Sequence, residues 1–243
     1  MKTNRLWLGL FLVGLLTSCN FTEEIYLSEN GSGSISLNFD GSELMSMAGD
    51  SLATEEKAMD SVIYFADLLR EKKDSIATLP AKEQERLRML EPYRMHMKSD
   101  PAAREMFFNL SRDFKNIGEV EDAFSAFQST GVLDSKDSTQ ADTPGFGEST
   151  SVSYRFESGT FSRRSVITDS VLHQQRLDSL DNGNMFLAGS TYTLKIHFPR
   201  RVRSASSEEA TLSVDGKTLI REVEFVEYLR NPAILDLEVK LED

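Results

Sequence analysis

Apolar residues occupy alternate positions in residues 24–28 and again in residues 34–40. This period of two is typical of strands that have one buried face. Residues 29–33, between the two segments, have the sequence Glu-Asn-Gly-Ser-Gly, which suits a tight turn. The pattern therefore predicts a β-hairpin near the start of the chain.

The next part of the chain changes to a helical period. Between residues 54 and 76, apolar residues recur at spacings of three and four, with acidic residues at the start and Lys72 and Lys73 near the end. This placement of charges suits the helix dipole. Residues 82–97 predict a second helix, which Pro92 kinks or ends. The hairpin is thus expected to lead into a region of two helices.

Strand-like alternation returns in the second half of the chain. Residues 106–114 predict a third strand, and residues 119–127 predict a short helix. Residues 131–150 are rich in Ser, Thr, Asp and Gly and predict a flexible linker or loop. The later predicted elements are a hairpin over 151–156 and 160–166, a helix over 168–180, and strands over 192–198, 212–214, 219–225 and 234–241.

These elements predict an α+β fold, with a mostly antiparallel sheet built from the N-terminal hairpin and the C-terminal strands and with a central helical insertion. The predicted organisation begins with a leader over residues 1–18 and the hairpin plus helical region over 19–130. The linker over 131–150 and a β-rich region over 151–243 follow. We expect this β-rich region to share one sheet with the hairpin.

The start of the chain has the composition of an export signal. Lys2 and Arg5 precede an apolar run of eleven residues, 6–16. A helix that spans a membrane needs about 20 such residues, so the run is too short for one. It fits the apolar region of a cleaved secretory signal.

The segment Leu16-Thr17-Ser18-Cys19 resembles the lipobox of bacterial lipoproteins, in which an apolar residue and two small residues precede a cysteine. The resemblance implies a diacylglyceryl group on the Cys19 thiol, cleavage before Cys19 and acylation of the new amine. Two or three acyl chains anchor a protein firmly to a membrane. The alternative is a free core cysteine that follows a short transmembrane anchor.

The residues just after Cys19 bear on the destination of the protein. Asn20 stands where an aspartate favours inner-membrane retention in enterobacterial lipoproteins, so the resemblance implies the outer membrane. Glu23 and Glu24 are similar to the acidic surface-export signal of Bacteroidota lipoproteins. We expect a lipid-anchored protein of the cell outer membrane, with the periplasmic face favoured over the cell surface.

Two further patches resemble lipoprotein domains. Residues 24–40, which contain Glu-Ile-Tyr-Leu, Gly-Ser-Gly and Leu-x-Phe-Asp, are similar to the opening of many Bacteroidota outer-membrane lipoproteins of unknown function. Residues 198–218, with Phe-Pro and Thr-Leu-Ser-x-Asp-Gly-Lys-Thr, resemble the LppM-type lipoprotein domain. The resemblance implies an envelope domain with a role in lipid handling, and it carries over no active-site residues.

Net charge and cysteine count narrow the classes of function. The formal net charge is −12 at pH 7, and loss of the leader would remove two more cations. Nucleic acids bind to Lys/Arg patches, so this charge argues against them as partners. The single cysteine excludes an intramolecular disulfide and a thiolate zinc cluster. The expected partners are the membrane, through the lipid anchor, and envelope proteins or lipid, and no cofactor is predicted.

The sequence lacks catalytic and metal-binding motifs. His96, His173 and His197 are far apart and belong to no His-x-x-x-His pattern, and no Gly-x-Ser-x-Gly motif occurs. Asp40 and Glu43 lack the pattern of a calcium-binding loop. We therefore predict no catalytic residue and no metal ligand. His197 lies between two apolar residues of a predicted strand, so we expect it to face solvent.

Arg200, Arg201 and Arg203 form the tightest basic cluster of the chain. Guanidinium groups bind phosphate well, so the cluster is suited to an anion such as phosphate or lipopolysaccharide. The alternative is ion pairing with the neighbouring Glu208 and Glu209.

Asp-Ser pairs followed by an apolar residue or Thr recur along the chain and resemble the acceptor motif of Bacteroidota O-glycosylation. Such a site needs an exposed hydroxyl beside an acid. The alternative is that these Asp and Ser residues cap helices and join turns. The candidate acceptors are Ser51, Ser61, Ser75, Ser138, Ser170 and Ser179.

The combination of a lipobox with no catalytic motif predicts a non-enzymatic binding or structural module, anchored by lipid in the cell envelope. Two alternatives are an envelope protein that handles lipid or glycolipid and an envelope hydrolase. A place within a larger envelope complex is also compatible with the sequence.

Overall fold

The computed structural model describes residues 20–47, 58–120, 122–130, 149–181 and 189–243. The predicted leader, Cys19 and residues 131–148 of the predicted linker lie outside these ranges. Two of the candidate acceptor serines, Ser51 and Ser138, also lie outside them. The described residues form twelve strands and seven α-helices.

The strands are numbered in chain order. They are β1 (Asn20–Leu27), β2 (Gly33–Asp40), β3 (Met59–Tyr64), β4 (Arg94–Asp100), β5 (Glu105–Phe114), β6 (Thr150–Glu157), β7 (Thr160–Ile167), β8 (Thr191–His197), β9 (Val202–Ala205), β10 (Thr211–Leu212), β11 (Thr218–Glu224) and β12 (Leu237–Leu241).

The helices are short. They are α1 (Ser42–Met47), α2 (Phe65–Glu71), α3 (Lys73–Ile76), α4 (Ala81–Met89), α5 (Ala123–Ser129), α6 (Ser170–Asp181) and α7 (Phe225–Arg230). None of the described helices is long and apolar enough to cross a membrane.

Eight strands form the larger sheet, in the order β10-β11-β8-β1-β2-β5-β4-β3. β1 pairs with β8 in parallel, and the other neighbouring strands of this sheet are antiparallel. The smaller sheet has the order β6-β7-β12-β9, and its strands are all antiparallel. The fold is therefore α+β with a mostly antiparallel larger sheet, as the pattern predicted.

The C-terminal strands divide between the two sheets. β8, β10 and β11 join the N-terminal hairpin in the larger sheet, whereas β6, β7, β9 and β12 form the smaller sheet. The two sheets pack through their apolar faces around one continuous hydrophobic core. Because β1 lies between β2 and β8, its core-facing residues stand near the middle of this core.

Aromatic rings dominate the centre of the core. The ring of Phe21 on β1 lies 4.7 Å from that of Phe39 on β2 and 4.4 Å from that of Phe225 on α7, centroid to centroid. Phe124 on α5 contacts Phe21 edge to face, at a centroid distance of 5.6 Å. Such pairs add specific geometry to the burial of large apolar surfaces. The helices α5 and α7 thus close the core against β1 and β2.

The predicted hairpin is confirmed, with a turn at residues 28–32. Gly31 in this turn has a φ of +80°, which side chains other than glycine rarely adopt. Gly33 has a different reason to be glycine, because a Cβ atom there would lie 1.8 Å from the carbonyl oxygen of Tyr26. Both requirements for glycine arise within the hairpin itself, so the sequence pattern alone was sufficient to predict it.

The predicted helix over residues 54–76 is wrong in its described first part. Residues 59–64 form β3 instead, paired with β4, and helix begins only at Phe65. The spacing of four between Met59 and Ile63 fits a helical face, but it also places both residues on one face of a strand. β-branched and aromatic residues at positions 62–64 favour the strand.

The predicted helix over residues 82–97 is wrong in its second part. α4 ends at Met89, and residues 94–100 form β4. Pro92 ends the helix rather than kinking it, because its ring disfavours helical backbone at the preceding residue. Met95 is buried in the core and Met97 packs against the core. Their spacing of two residues therefore indicates a strand here, rather than the predicted helix.

Candidate functional site

The predicted lipid site, Cys19, immediately precedes the described part of the chain. β1 begins at Asn20, and the Thr191 hydroxyl donates a hydrogen bond of 2.8 Å to the Asn20 side-chain oxygen. Asn20, the first described residue, thus lies on a strand inside the larger sheet.

The candidate acceptor serines within the described ranges occupy different settings. Ser61 is half-buried on β3, which is an edge strand of the larger sheet. Ser75 on α3 and Ser170 at the start of α6 are exposed. Ser179 lies within α6. Of the candidate serines whose exposure the structure describes, Ser75 and Ser170 are thus on open surface and Ser61 is not, and glycosylation stays a prediction.

The predicted anion-binding arginines are spread over one end of the molecule. The Arg200 Nε atom lies 3.1 Å from a carboxylate oxygen of Glu29, and Arg200 also donates to the Glu242 carbonyl oxygen. Arg201 donates to the Asp215 carbonyl oxygen at 2.9 Å and lies 3.8 Å from the Glu242 carboxylate. Arg203 is exposed on β9. Two of the three side chains therefore join strand ends, and anion binding stays a prediction.

Glu209, which the sequence offered as a partner of this cluster, instead pairs with Arg221 on β11. The salt bridges of Arg200 and Arg201 reach residues far away in the sequence, at positions 29 and 242. Proximity along the chain was therefore a poor guide to the partners.

The three histidines lie apart, in separate contacts. The His96 Nε2 atom lies 2.7 Å from the Asp60 carboxylate on the neighbouring strand. His173 is buried on α6, 3.3 Å from both the Ser149 hydroxyl and the Arg230 carbonyl oxygen. Among the residues that the structure describes, no three His, Cys, Asp or Glu side chains are grouped so that they could hold a metal ion.

His197 belongs to a polar network on the open face of the larger sheet, the face away from the core. Its Nε2 atom lies 2.7 Å from Glu24, and its Nδ1 atom lies 3.1 Å from the Thr218 hydroxyl. The Tyr26 ring stacks on the imidazole at a centroid distance of 4.0 Å, and the Tyr26 hydroxyl donates a hydrogen bond to Glu24. The Glu24 carboxylate also lies 2.8 Å from Lys195 Nζ. His197 points away from the core as predicted, but it has three close polar or aromatic neighbours, which are Glu24, Thr218 and Tyr26.

This network shifts the ionisation of its members. Burial raises the pKa of Glu24, but hydrogen bonds from Lys195, His197 and Tyr26 outweigh burial, so the pKa is lowered overall. The hydrogen bond to Glu24 raises the pKa of Lys195. Burial and the bond to Glu24 raise the pKa of the Tyr26 hydroxyl. The geometry thus favours an ionised carboxylate beside a protonated lysine.

Glu24, His197 and Thr218 stand in the order carboxylate, imidazole and hydroxyl, which is the order of a catalytic relay. The three residues lie on β1, β8 and β11, which are adjacent strands, and Thr218 is directly opposite His197 in the register. Side chains in such positions interact across a sheet face without any catalytic role. Cross-strand pairing is therefore sufficient to explain the network, which no pattern in the sequence revealed.

A second polar cluster lies inside the core, around Glu23. This side chain has no exposed surface, and it lies on the opposite face of β1 from Glu24. Its two carboxylate oxygens accept hydrogen bonds from the hydroxyls of Tyr154, at 2.6 Å, and Tyr192, at 2.7 Å. In the folded domain Glu23 is therefore enclosed, so the acidic pair after Cys19 presents only Glu24 outside the core.

The positive charge near Glu23 is Arg163 on β7, which also has no exposed surface. Its Nη1 atom donates to the Ser165 hydroxyl at 2.8 Å and lies 3.6 Å from the Asp236 carboxylate. Burial lowers the pKa of Arg163, but the charge of Glu23 and the surrounding tyrosines together outweigh burial, so the pKa is raised overall. The charge of Glu23 therefore favours the protonated form of Arg163 within the core.

The pKa values of the tyrosine hydroxyls in this cluster are all strongly raised. Burial raises the pKa of Tyr154 and of Tyr192 well above the usual value, and the charge of Glu23 raises both further. Burial, followed by the charge of Asp122, does the same to the pKa of Tyr228. These hydroxyls therefore remain protonated, and those of Tyr154 and Tyr192 donate hydrogen bonds to Glu23, which supports a structural role for the cluster.

The helices α2, α3 and α4 form a separate feature, here called the helical arm (residues 65–91). A groove of about 560 Å³ runs between them. The Gln84 amide holds one end together by donating to the Leu79 carbonyl oxygen at 2.8 Å. The groove is lined by Ala66, Leu69, Arg70, Lys73, Ile76, Ala77, Gln84, Leu87, Arg88 and Glu91.

Comparisons of the chain with protein-family models, with curated proteins and with solved structures found no match.

Proposed function

We propose that this protein is a lipid-anchored, non-enzymatic binding module of the cell envelope. The observation that carries the proposal is the segment Leu16-Thr17-Ser18-Cys19 after an apolar run of export length. In the described part of the chain, β1 begins at Asn20, the residue that follows the proposed lipidated cysteine.

The proposed lipid anchor would hold the folded domain close to the membrane. No linker separates Cys19 from β1, so the end of the larger sheet that holds Asn20, Asp40 and Thr191 would lie against the lipid. β1 has eight residues, and at about 3.4 Å per residue the turn at 28–32 would stand about 25 Å from the anchor. Binding surfaces at that end, including Arg200 and Arg201, would therefore face away from the anchoring membrane.

Incorporation of radiolabelled palmitate tests the anchor. We expect label in the wild-type protein, no label in Cys19→Ala, and normal labelling of the matched variant Ser18→Ala, which keeps a small residue before the cysteine. Separation of inner and outer membranes then tests the proposed outer-membrane location. Absence of palmitate from the wild type, or normal leader cleavage and membrane binding of Cys19→Ala, would contradict the proposal.

A second candidate function is the handling of lipid or glycolipid. The helical arm favours it, because its groove combines apolar and cationic side chains. A protein that handles lipid needs such a surface to receive an apolar chain and a charged headgroup together.

A further inference from the structure

The helical arm leaves its own apolar residues incompletely covered. Leu69, Ile76 and Leu87 are half-buried and line the groove, and Leu79 beside it is 39 % exposed. Of α2, α3 and α4, only α2 buries a residue fully, which is Phe65. An uncovered apolar groove on an otherwise packed domain indicates a place for a ligand or partner.

The charges around the groove have an unusual sign for this chain. Arg70, Lys73 and Arg88 line it against a single acid, Glu91, whereas the whole chain carries a net charge of −12. Arg88 donates to the Gln84 side-chain oxygen, and Arg70 pairs with Asp67 on its own helix. Lys73 has no ion-pair partner among the described residues. The lining therefore presents net positive charge beside apolar side chains.

The size of the groove distinguishes a small ligand from a protein. Its volume of about 560 Å³ lies within the range of roughly 300–1,000 Å³ that small-molecule sites occupy. Ten residues line it, whereas a specific protein interface uses about 20–30 residues on each side. The groove is thus large enough for a single alkyl chain and small for a stable protein contact.

We propose that the groove of the helical arm binds a fatty acid, with the alkyl chain against Leu69, Ile76 and Leu87 and the carboxylate near Lys73 and Arg88. This inference deepens the proposed binding role and rests on it, but it does not depend on the lipid at Cys19. Guanidinium and ammonium groups attract a carboxylate, and the aliphatic stems of Arg and Lys extend the apolar wall.

Photolabelling tests the site. The full-length protein in phosphatidylcholine vesicles would be illuminated with a diazirine-bearing fatty acid, and the labelled peptides would be mapped by mass spectrometry. We expect label on residues 65–91. Labelling should fall about tenfold in Lys73→Glu and in Leu87→Gln, which corresponds to about 1.4 kcal/mol. Lys72→Glu is the matched control, because Lys72 is a neighbouring exposed cation that does not line the groove.

Several outcomes would overturn the site. Equal labelling of all three variants, or equal labelling by the uncharged alcohol analogue of the probe, would contradict it. Capture of a protein or of a second copy of this chain by a photo-crosslinking residue at Leu79 in intact cells would do the same. Circular dichroism of each variant excludes unfolding as the cause of a loss. The Cys19→Ala protein should retain the label on residues 65–91, which separates failure of this site from failure of the anchor.

Discussion

In the aromatic core, the rings of Phe39 and Phe225 lie 4.7 Å and 4.4 Å from the ring of Phe21, and none of the three side chains is more than 2 % exposed. In the helical arm, Leu69 and Leu87 are of similar apolar character, but they remain half-buried beside a groove of about 560 Å³. The same class of side chain is therefore sealed in one region and left accessible in the other.

This difference separates what the two regions contribute. The core draws residues from both sheets and from α5 and α7, and it even encloses the charged side chains of Glu23 and Arg163. The arm is a local excursion between β3 and β4, from which Phe65 and Leu90 enter the continuous core and Leu68 packs against it. We infer that the core determines stability, whereas the arm is free to serve binding.

The largest expected loss of stability comes from removing one charged side chain of the buried cluster around Glu23. Arg163→Met and Glu23→Leu should each lower the free energy of unfolding by about 3–5 kcal/mol, because the charge that remains in the core loses a nearby opposite charge and keeps only the Asp236 carboxylate or the tyrosine hydroxyls as partners. The double variant should lose less than the sum of the two single losses. Urea denaturation of all four proteins measures this coupling, and strictly additive losses would show that the two charges act independently.

A matched pair of leucine substitutions compares the two regions directly. Leu37→Ala in the core should cost about 2–5 kcal/mol, since Leu37 has no exposed surface and its loss leaves a cavity. Leu87→Ala in the arm should cost less than about 1 kcal/mol, because solvent already reaches this side chain. The same denaturation measurement applies to both. Equal losses would mean that the arm is as tightly packed as the core.

The smallest effect is expected on the open sheet face, at Glu24. Its pKa is lowered in the folded protein from the usual 4.5, so its stabilising contribution is complete above pH 4.5 and is lost as the pH falls through the lower, folded value. Lys195, whose pKa is raised from 10.5, loses its contribution only as the pH rises above 10.5.

Glu24→Gln should therefore reduce stability by less than about 1 kcal/mol at pH 7, and this reduction should shrink as the pH falls below 4.5 through the lowered pKa of Glu24. Thermal unfolding of the wild type and the variant across this range measures the difference. Glu222→Gln is a suitable control, because Glu222 is an exposed acid on the same face, with a Thr193 hydroxyl as its hydrogen-bond partner. A wild-type-to-variant difference that does not change with pH would contradict the role of the Glu24 charge.

Local chemistry explains which parts of the fold were predictable. The hairpin of β1 and β2 was predicted correctly because the alternation of apolar and polar residues and the glycine-containing turn both indicate a hairpin. β3 was missed because the same apolar positions fit a helix and a strand, and only pairing with β4 distinguishes the two. The paired β4 strand is itself separated from β3 by the helical arm, so the distinction depended on a contact across 65–91.

The candidate sites were predictable to different degrees. Cys19 was found because its motif is contiguous, and it stays a prediction. The cluster around Glu23 could not be found, because its tyrosine partners lie 131 and 169 residues further along the chain. A single feature pointed toward it, which is that Glu23 alternates with the apolar residues Phe21 and Ile25.

The sequence by itself determined the features that neighbouring residues decide: the strand alternation, the turn at Gly31, the ends of several helices and the motif before Cys19. The tertiary structure decided the parallel pairing of β1 with β8, the burial of Glu23 beside Arg163 and the groove of the helical arm. The physical reason is that turns and periodic faces depend on short-range backbone chemistry, whereas strand neighbours and buried charges depend on which distant segments pack together.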